Sequence, residues 1–283
     1  MTRISRRAVS RTIESVLLHT FLLIGVVISI LPFYWMIINS LKARGEILVV
    51  PPRWWFSTPV FHNYLAVFQE SNFATGFLNT CFVTFTRTSA TLLLSAMAGF
   101  AFAKYDFPGR NGLFLFLLGT MMIPGVVTMI PSYMILVKFK WIDTYQALIV
   151  PGLASAFGTF LMRQYMYTVP DELLDAARID GAGDFRLFFQ IALPIAVPAL
   201  TSLAIFSFFG NWNDLFWPMI VIRTKSKFTL PLSLMLLRSR FPHNVDYGVV
   251  FAASFMATLP TLIVFLLLQR HFVGGITTGA LRG

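Results

Sequence analysis

Six stretches of this chain run for 19 residues or more with almost no charge, and nothing else in it limits the fold as strongly. Residues 15–41, 111–137 and 187–213 each give 27 residues without Asp, Glu, Lys or Arg. Residues 247–269 give 23, 144–162 give 19, and 71–103 are interrupted only by Arg87. About 20 apolar residues in a helix cross the hydrocarbon core of a bilayer. The pattern predicts an all-α polytopic membrane protein with six transmembrane helices, at about 16–40, 75–102, 113–137, 145–167, 195–222 and 249–270. Arg3, Arg6, Arg7 and Arg11 before the first run give it the look of a signal peptide. The run is too long for one and no small-residue cleavage site follows, so it reads as an anchor. Pro32, Pro124, Pro131, Pro218 and Pro260 punctuate the spans, as lipid-embedded helices tolerate when neighbours satisfy the freed carbonyls. Pro51 to Phe56, with Trp54 and Trp55, reads as an outer interfacial segment. No repeat or linker divides the chain, so residues 1–283 are expected to form one transmembrane domain.

Composition agrees. Only 12% of residues are charged and mean hydropathy is +0.73. A soluble domain carries roughly 25% charged residues. The net charge of +10 is no nucleic-acid footprint, because the basic residues are scattered between apolar runs. Cys81 is the single cysteine and reads as a small buried apolar residue. His19, His62, His243 and His271 are scattered, so no metal site is expected. The Phe and Met residues of the spans, Met121, Met122 and Met129 among them, read as lipid-facing or packing residues. The Lys/Arg bias barely orients the chain. With the termini inside, 11 basic residues face inward and 10 outward. The four Arg of the tail favour termini inside, because the first helix usually dominates.

The acids are unevenly placed. Five of 12 lie between Asp171 and Asp184: Asp171, Glu172, Asp175, Asp180 and Asp184. They fall in one connecting segment, 169–194, between the fourth and fifth spans. Pro170 suits a first helical turn, and Asp171 and Glu172 complement the positive helix end. Ala176 and Ala177 favour helix, and Gly181 permits a left-handed stop. Asp184 is placed to cap a second short helix, 185–193, ended by Pro194. The prediction is a helix–turn–helix with one small acidic surface and one aromatic surface of Phe185, Phe188 and Phe189.

The run from Asp175 to Pro194 resembles the EAA motif of ABC importer permeases: E-A-A, three residues, G, nine residues, I-x-L-P. Ala176, Ala177, Gly181, Ile191, Leu193 and Pro194 are in register, and Asp175 stands for the usual Glu. Three further segments resemble the carbohydrate-importer branch: 101–110 (AFAKYDFPGR), 212–218 (WNDLFWP) and the ending 272–283. Together they resemble the G-type permease partner of maltose-type importers, over most of the chain. The resemblance implies a coupling helix, on Asp175, Ala176, Ala177, Asp180, Gly181, Phe185 and Pro194, that docks on a cytoplasmic ATPase. It implies a multi-pass protein of a bacterial or archaeal cytoplasmic membrane with cytoplasmic termini. The implied partners are a second permease subunit, two ATPase subunits and an extracytoplasmic sugar-binding protein. ATP and Mg would sit on the partner ATPase, with no cofactor on this chain. The tail from Gly274 to Gly283 is implied to reach the ATPase as well.

The residues themselves fit that division of labour. The chain has no G-x-x-x-x-G-K-[ST] loop, so its energy source must lie elsewhere. Arg87 within a span is costly and is expected to face the interior, lining a pathway or pairing with a group such as Asp214. Asn211, Trp212, Asn213 and Asp214 combine an aromatic face with hydrogen-bonding groups, as carbohydrate sites do. They serve equally as polar glue between helices. Arg223, Lys225, Lys227, Arg238 and Arg240 form a basic outer loop suited to an acidic binding protein, an anionic substrate or plain solvation. A self-sufficient secondary transporter or channel is the alternative, but Asp214 alone could supply a coupling carboxylate. An intramembrane enzyme would need a nucleophile–base pair or metal ligands. No H-E-x-x-H or G-x-S-x-G occurs, so no catalytic residue is expected.

Overall fold

The computed structural model describes the backbone of residues 2–70, 72–239 and 246–280, and the side chains of 13–69, 72–237 and 246–269. The side chains of the basic tail, of Arg238, Arg240 and Arg270, the terminal Arg282, and the side chains of the ending 274–283 lie outside the described residues. No strand occurs among the described residues. They group into two compact units, Met1–Ser71 with Leu236–Thr258, and Asn72–Met235 with Leu259–Gly283.

The first unit begins with α1 (Thr2–Ser40), exposed on all sides from Ile13 to Phe33, as a helix bathed in lipid can be. Its end is buried and polar. Lys42 is fully buried, its Nζ donating to Asn39 Oδ1 at 3.0 Å and to the Arg53 carbonyl, 4.8 Å from the Trp35 ring centre. These bonds fold the loop carrying α2 (Arg44–Ile47) back on the helix end. From α3 (His62–Glu70), Asn63 Nδ2 donates to the Ser40 and Lys42 carbonyls at 2.8 and 3.0 Å.

The second unit is organised on α4 (Phe73–Lys104). Its buried face repeats small and hydroxyl residues: Gly76, Thr80, Thr84, Thr88, Thr91, Ser95, Gly99 and Ala103. Spacings of three and four put them on one stripe, and small residues let helix backbones approach closely in a membrane. A Cβ on Gly99 would lie 2.6 Å from Met162 Cβ and 2.7 Å from the Arg163 backbone nitrogen, so only glycine fits there.

Three of the four remaining apolar runs are bent, and the last, 247–269, lies in one unbroken helix. α5 (Arg110–Thr120) and α6 (Gly125–Lys138) meet at 101° across a break at Pro124. α7 (Tyr145–Ile149), with its 3-10 extension to Gly152, meets α8 (Ala156–Met166) at 41°. Thr144 and Ser155 cap the two pieces through bonds from Ala147 N and Gly158 N. α9 (Asp171–Ile179) and α10 (Asp184–Leu187) follow, then a π-wound stretch, Phe188–Ala192, and α11 (Leu193–Ile195). The chain bends by 79° at Ala196 into α12 (Val197–Trp212). α13 (Phe216–Val221), α14 (Leu230–Ser239) and α15 (Tyr247–Ala280) complete the order. Among the described residues three helices are long and apolar enough to cross a membrane, or up to six spans exist if each bent pair counts as one.

Two expectations need correction. The third, fourth and fifth runs are not single helices over 113–137, 145–167 and 195–222: they break at 121–124, at 153–155 and between α12, which stops at Trp212, and α13, which starts at Phe216. Asp214 sits in the gap and its Oδ1 accepts from the Trp217 backbone N–H at 3.3 Å. Its side chain thus replaces a main-chain acceptor in the first turn of α13. Pro194 does not end the helix begun at Asp184. The winding widens before it, with Leu193 N bonded to the Phe188 carbonyl, and continues to Ile195. The wider winding accommodates a residue that lacks an N–H.

Candidate transport and coupling sites

Arg87, midway along α4, points between two of the bent segments. Its Nη1 lies 3.5 Å from Asp214 Oδ2 and 3.5 Å from the Leu148 carbonyl. The side chains keep 21% and 25% of their exposure, so the pair is largely withdrawn from solvent. Gly152 lies directly against the guanidinium, and a Cβ there would overlap it. One turn along α4, Thr91 Oγ1 donates to the Gly152 carbonyl at 3.1 Å. Asn211 Nδ2 donates to Thr88 Oγ1 at 3.0 Å. Arg87, Asn211 and Asp214 therefore converge, with Thr80, Thr84 and Thr229, on a cavity of about 10 Å³. That is room for roughly one water. The Thr84 and Thr229 hydroxyls are buried with no hydrogen-bond partner in the protein.

The other two residues of the 211–214 cluster go elsewhere. Trp212 is 2% exposed, stacked on Phe208 at 5.5 Å and edge-on to Phe77 at 5.7 Å, so no face of its ring is free for a sugar. Asn213 is exposed and, among the described residues, its side chain bonds only to the Phe209 carbonyl, at 2.9 Å. The hydroxyl stripe of α4 escaped the sequence reading, although Thr80, Thr84 and Thr88 at four-residue steps were visible in it.

Basic residues past α13 are ordered by an acid. Asp143, in left-handed backbone at φ 62, accepts from Arg223 N and Thr224 N at 3.0 Å each, and from the Thr224 hydroxyl. Lys227 Nζ lies 3.5 Å from its carboxylate. The Thr224 hydroxyl and amide bonds, then Arg223 N and Lys227, hold the Asp143 carboxyl below the ordinary aspartate range. Arg223 and Lys225 remain exposed.

The acidic segment forms a helix, a turn and a shorter irregular helix. Pro170 takes the N-cap position just before α9, with Asp171 and Glu172 in the first turn. Gly181 has φ +82, the left-handed conformation that glycine adopts without a Cβ penalty. Asp175, Ala176, Asp180, Gly181, Phe185 and Pro194 are exposed, and Ala177 is half-buried. Asp175 pairs with Arg178 at 2.9 Å, which raises the Arg178 guanidinium above its ordinary value. Leu174, Leu187 and Phe188 turn inward and anchor the segment on Phe100, Met162 and Met166. Phe188 is therefore core, and the aromatic surface shrinks to Phe185 and Phe189.

Asp184 does not cap its helix. Gly183 occupies that position, and Asp184 Oδ1 accepts from the Tyr105 hydroxyl at 2.6 Å. Burial and then this bond raise the Tyr105 hydroxyl above its ordinary value, so it stays a neutral donor. Lys104 Nζ, 2.6 Å from Asp171 Oδ1 and from the Val169 carbonyl, ties the other end. Sequence reasoning missed both residues, because only the fold brings 104–105 beside 169–184.

Residues 91–277 match the family described as the inner membrane component of binding-protein-dependent transport systems. The arabinooligosaccharides transport system permease protein of Halalkalibacterium halodurans is 36% identical over 246 residues, 87% of this chain and 86% of its own. The diacetylchitobiose uptake system permease protein of Streptomyces coelicolor is 33% identical, covering 93% and 88%. The lactose transport system permease protein of Rhizobium radiobacter is 32% identical, covering 94% and 96%. A chain of a bacterial ABC transporter involved in import of the acidic polysaccharide alginate superposes with a TM-score of 0.83 at 23% identity, over 93% of this chain and 98% of that one. At that identity the likeness speaks for the fold. The chain belongs to the inner membrane components of binding-protein-dependent transport systems: it is a membrane-embedded permease subunit and not an enzyme.

Proposed function

We propose that this chain is the permease subunit of a binding-protein-dependent, ATP-driven importer for a sugar, oligosaccharide or sugar derivative, working by alternating access. The observation that carries the reading is the acidic segment. It presents Asp175, Ala176, Asp180, Gly181 and Phe185 outward from a buried base, between two bent apolar helix pairs. Such a surface suits a partner that pushes on it. Relatives named for arabinooligosaccharides, diacetylchitobiose and lactose support the carbohydrate class.

In this reading residues 1–283 form one transmembrane domain of six spans, each bent pair counting once. The termini and 169–194 face the cytoplasm of a bacterial or archaeal cell. The segment docks on an ATPase dimer that holds ATP and Mg, and a second permease completes the pathway. A soluble extracytoplasmic protein delivers substrate. Rigid-body rocking of the helices then exposes the polar cluster around Arg87 and Asp214 to alternate sides.

The test is the whole complex in proteoliposomes, with its binding protein and a panel of oligosaccharides. One sugar class should stimulate ATP hydrolysis and accumulate inside. Uptake that persists without the ATPase and follows an ion gradient would make this a secondary transporter. An Asn213→Ala variant sharpens the pathway. Among the described residues its side chain bonds only to its own helix, so assembly should be unchanged, and a fall in uptake would place Asn213 against substrate.

A further inference from the structure

We propose that Lys104 and Tyr105 are positioning residues that clamp both ends of the acidic segment to α4, making that helix the rod that carries the segment's motion to Arg87. The proposal rests on the reading that an ATPase docks on 169–194.

The clamp has two points. At the entry, Lys104 Nζ bonds the Val169 carbonyl and the Asp171 carboxylate, both at 2.6 Å. The Lys104 side chain is only 4% exposed, whereas Asp171 is 75% exposed. The cation is thus held from the inside, where screening by salt is weak. At the start of α10, the Tyr105 hydroxyl bonds Asp184 Oδ1 at 2.6 Å. The bonded acids, 171 and 184, bracket α9 and the Gly181 turn. The tip between them is held at both feet, so it can move only with what holds it.

The foundation is packed. The Tyr105 ring meets Phe100 edge-on at 5.5 Å, Phe100 meets Phe188 at 5.5 Å, and the Arg178 guanidinium sits 5.9 Å from the Tyr105 ring centre. Arg163 Nε, on α8, bonds the Phe102 carbonyl at 3.3 Å. α4 runs unbroken from Lys104 back past Arg87, a stretch of roughly 25 Å at about 1.5 Å per residue. The segments that bring Leu148, Asn211 and Asp214 to the polar cluster are broken at 153–155, 196 and 213–215. An unbroken helix transmits displacement where a broken one absorbs it.

The experiment uses the full complex in proteoliposomes and reads sugar transported per ATP hydrolysed. Tyr105→Phe removes one oxygen and leaves the ring packing. It should lower that ratio by about three- to tenfold, with co-purification of the partners unchanged. Lys104→Met should do the same and Lys104→Arg should restore most of it. Asp184→Ala should match Tyr105→Phe, and the double variant should be no worse than either, as for a shared bond. If Lys104→Met does not assemble, Tyr105→Phe and the Asp184 cycle decide alone. A wild-type ratio in Tyr105→Phe, or losses that add in the double variant, would overturn the clamp. The docking reading is checked separately by cross-linking Ala176→Cys to the ATPase. A cross-link with an unchanged ratio sinks the clamp alone, whereas its absence from assembled complexes sinks the docking surface and the clamp with it.

Discussion

Two charge clusters hang on the same helix and are built in opposite ways. Arg87 and Asp214 face each other at 3.5 Å, each with about a quarter or less of its side chain exposed, beside a cavity of about 10 Å³. Lys104 and Asp171 meet at 2.6 Å, but Asp171 is 75% exposed and four more acids around it are open. A buried pair is rarely a source of net stability, because desolvation offsets the Coulomb gain. It is, however, severe to break. The Lys104–Asp171 pair is buried on one side only, and Glu172 and Asp180 stay exposed beside it. The inner cluster holds the unit's own helices in register; the outer one combines an anchored base with an unspent surface.

That contrast can be broken in three places. The largest effect is expected at the inner pair. Arg87→Met strands Asp214 and should cost about 2–4 kcal/mol, scaled down from a fully buried pair because both groups keep partial exposure. Thermal unfolding of the purified complex reads it, and the Arg87→Met/Asp214→Met double variant should recover most of the stability. If the double variant also transports normally, the pair is structural only. If Arg87→Met leaves both stability and uptake unchanged, the contrast between the two clusters fails.

Next comes the packing that supports both clusters. Gly99→Ala forces a Cβ to within 2.8 Å of backbone atoms at Met162 and Arg163, which cannot swing away as a side-chain end could. Overpacking of this kind costs about 1–3 kcal/mol. Lower yield of assembled complex and a lower Tm are the expected readings. An Ala variant with wild-type Tm would mean that α4 and α8 separate more readily than their contact implies.

The smallest effect is expected at Asp143, a half-buried acid whose partners lie within the same loop region. Asp143→Asn should cost about 1–2 kcal/mol through its weakened bonds to Thr224, Arg223 and Lys227. Its folded pKa lies below the unfolded one, so the contribution is complete above about pH 4 and fades as pH falls through the lower folded value. The Tm gap between wild type and variant should hold from pH 7 to 5 and close in stronger acid. A gap that closes already at pH 6 would point to another group.

Much of the outline is legible in the sequence. The uncharged runs mark every long helix, since each must be apolar over a bilayer's thickness whatever it packs against. The acidic segment and its glycine turn are local features, and Gly181 has the left-handed φ that its place after α9 asks for. What escaped was whatever depended on a distant partner. Asp184 looked like a cap because aspartate often is one; the Tyr105 hydroxyl, 79 positions away, takes its carboxylate instead. Phe188 looked like surface because its neighbours are, yet the π-wound backbone turns it onto Phe100.

The sequence by itself determined that this chain lives in lipid, how many apolar runs it has, and where it collects its acids, because hydropathy and charge act through composition over a short window. Only the tertiary structure decided that Arg87 meets Asp214, and that Lys104 and Tyr105 bond the acidic segment at Asp171 and Asp184. Those outcomes depend on side chains 60 to 130 positions apart reaching hydrogen-bond distance, and no local pattern records which of many possible partners the packed helices will bring together.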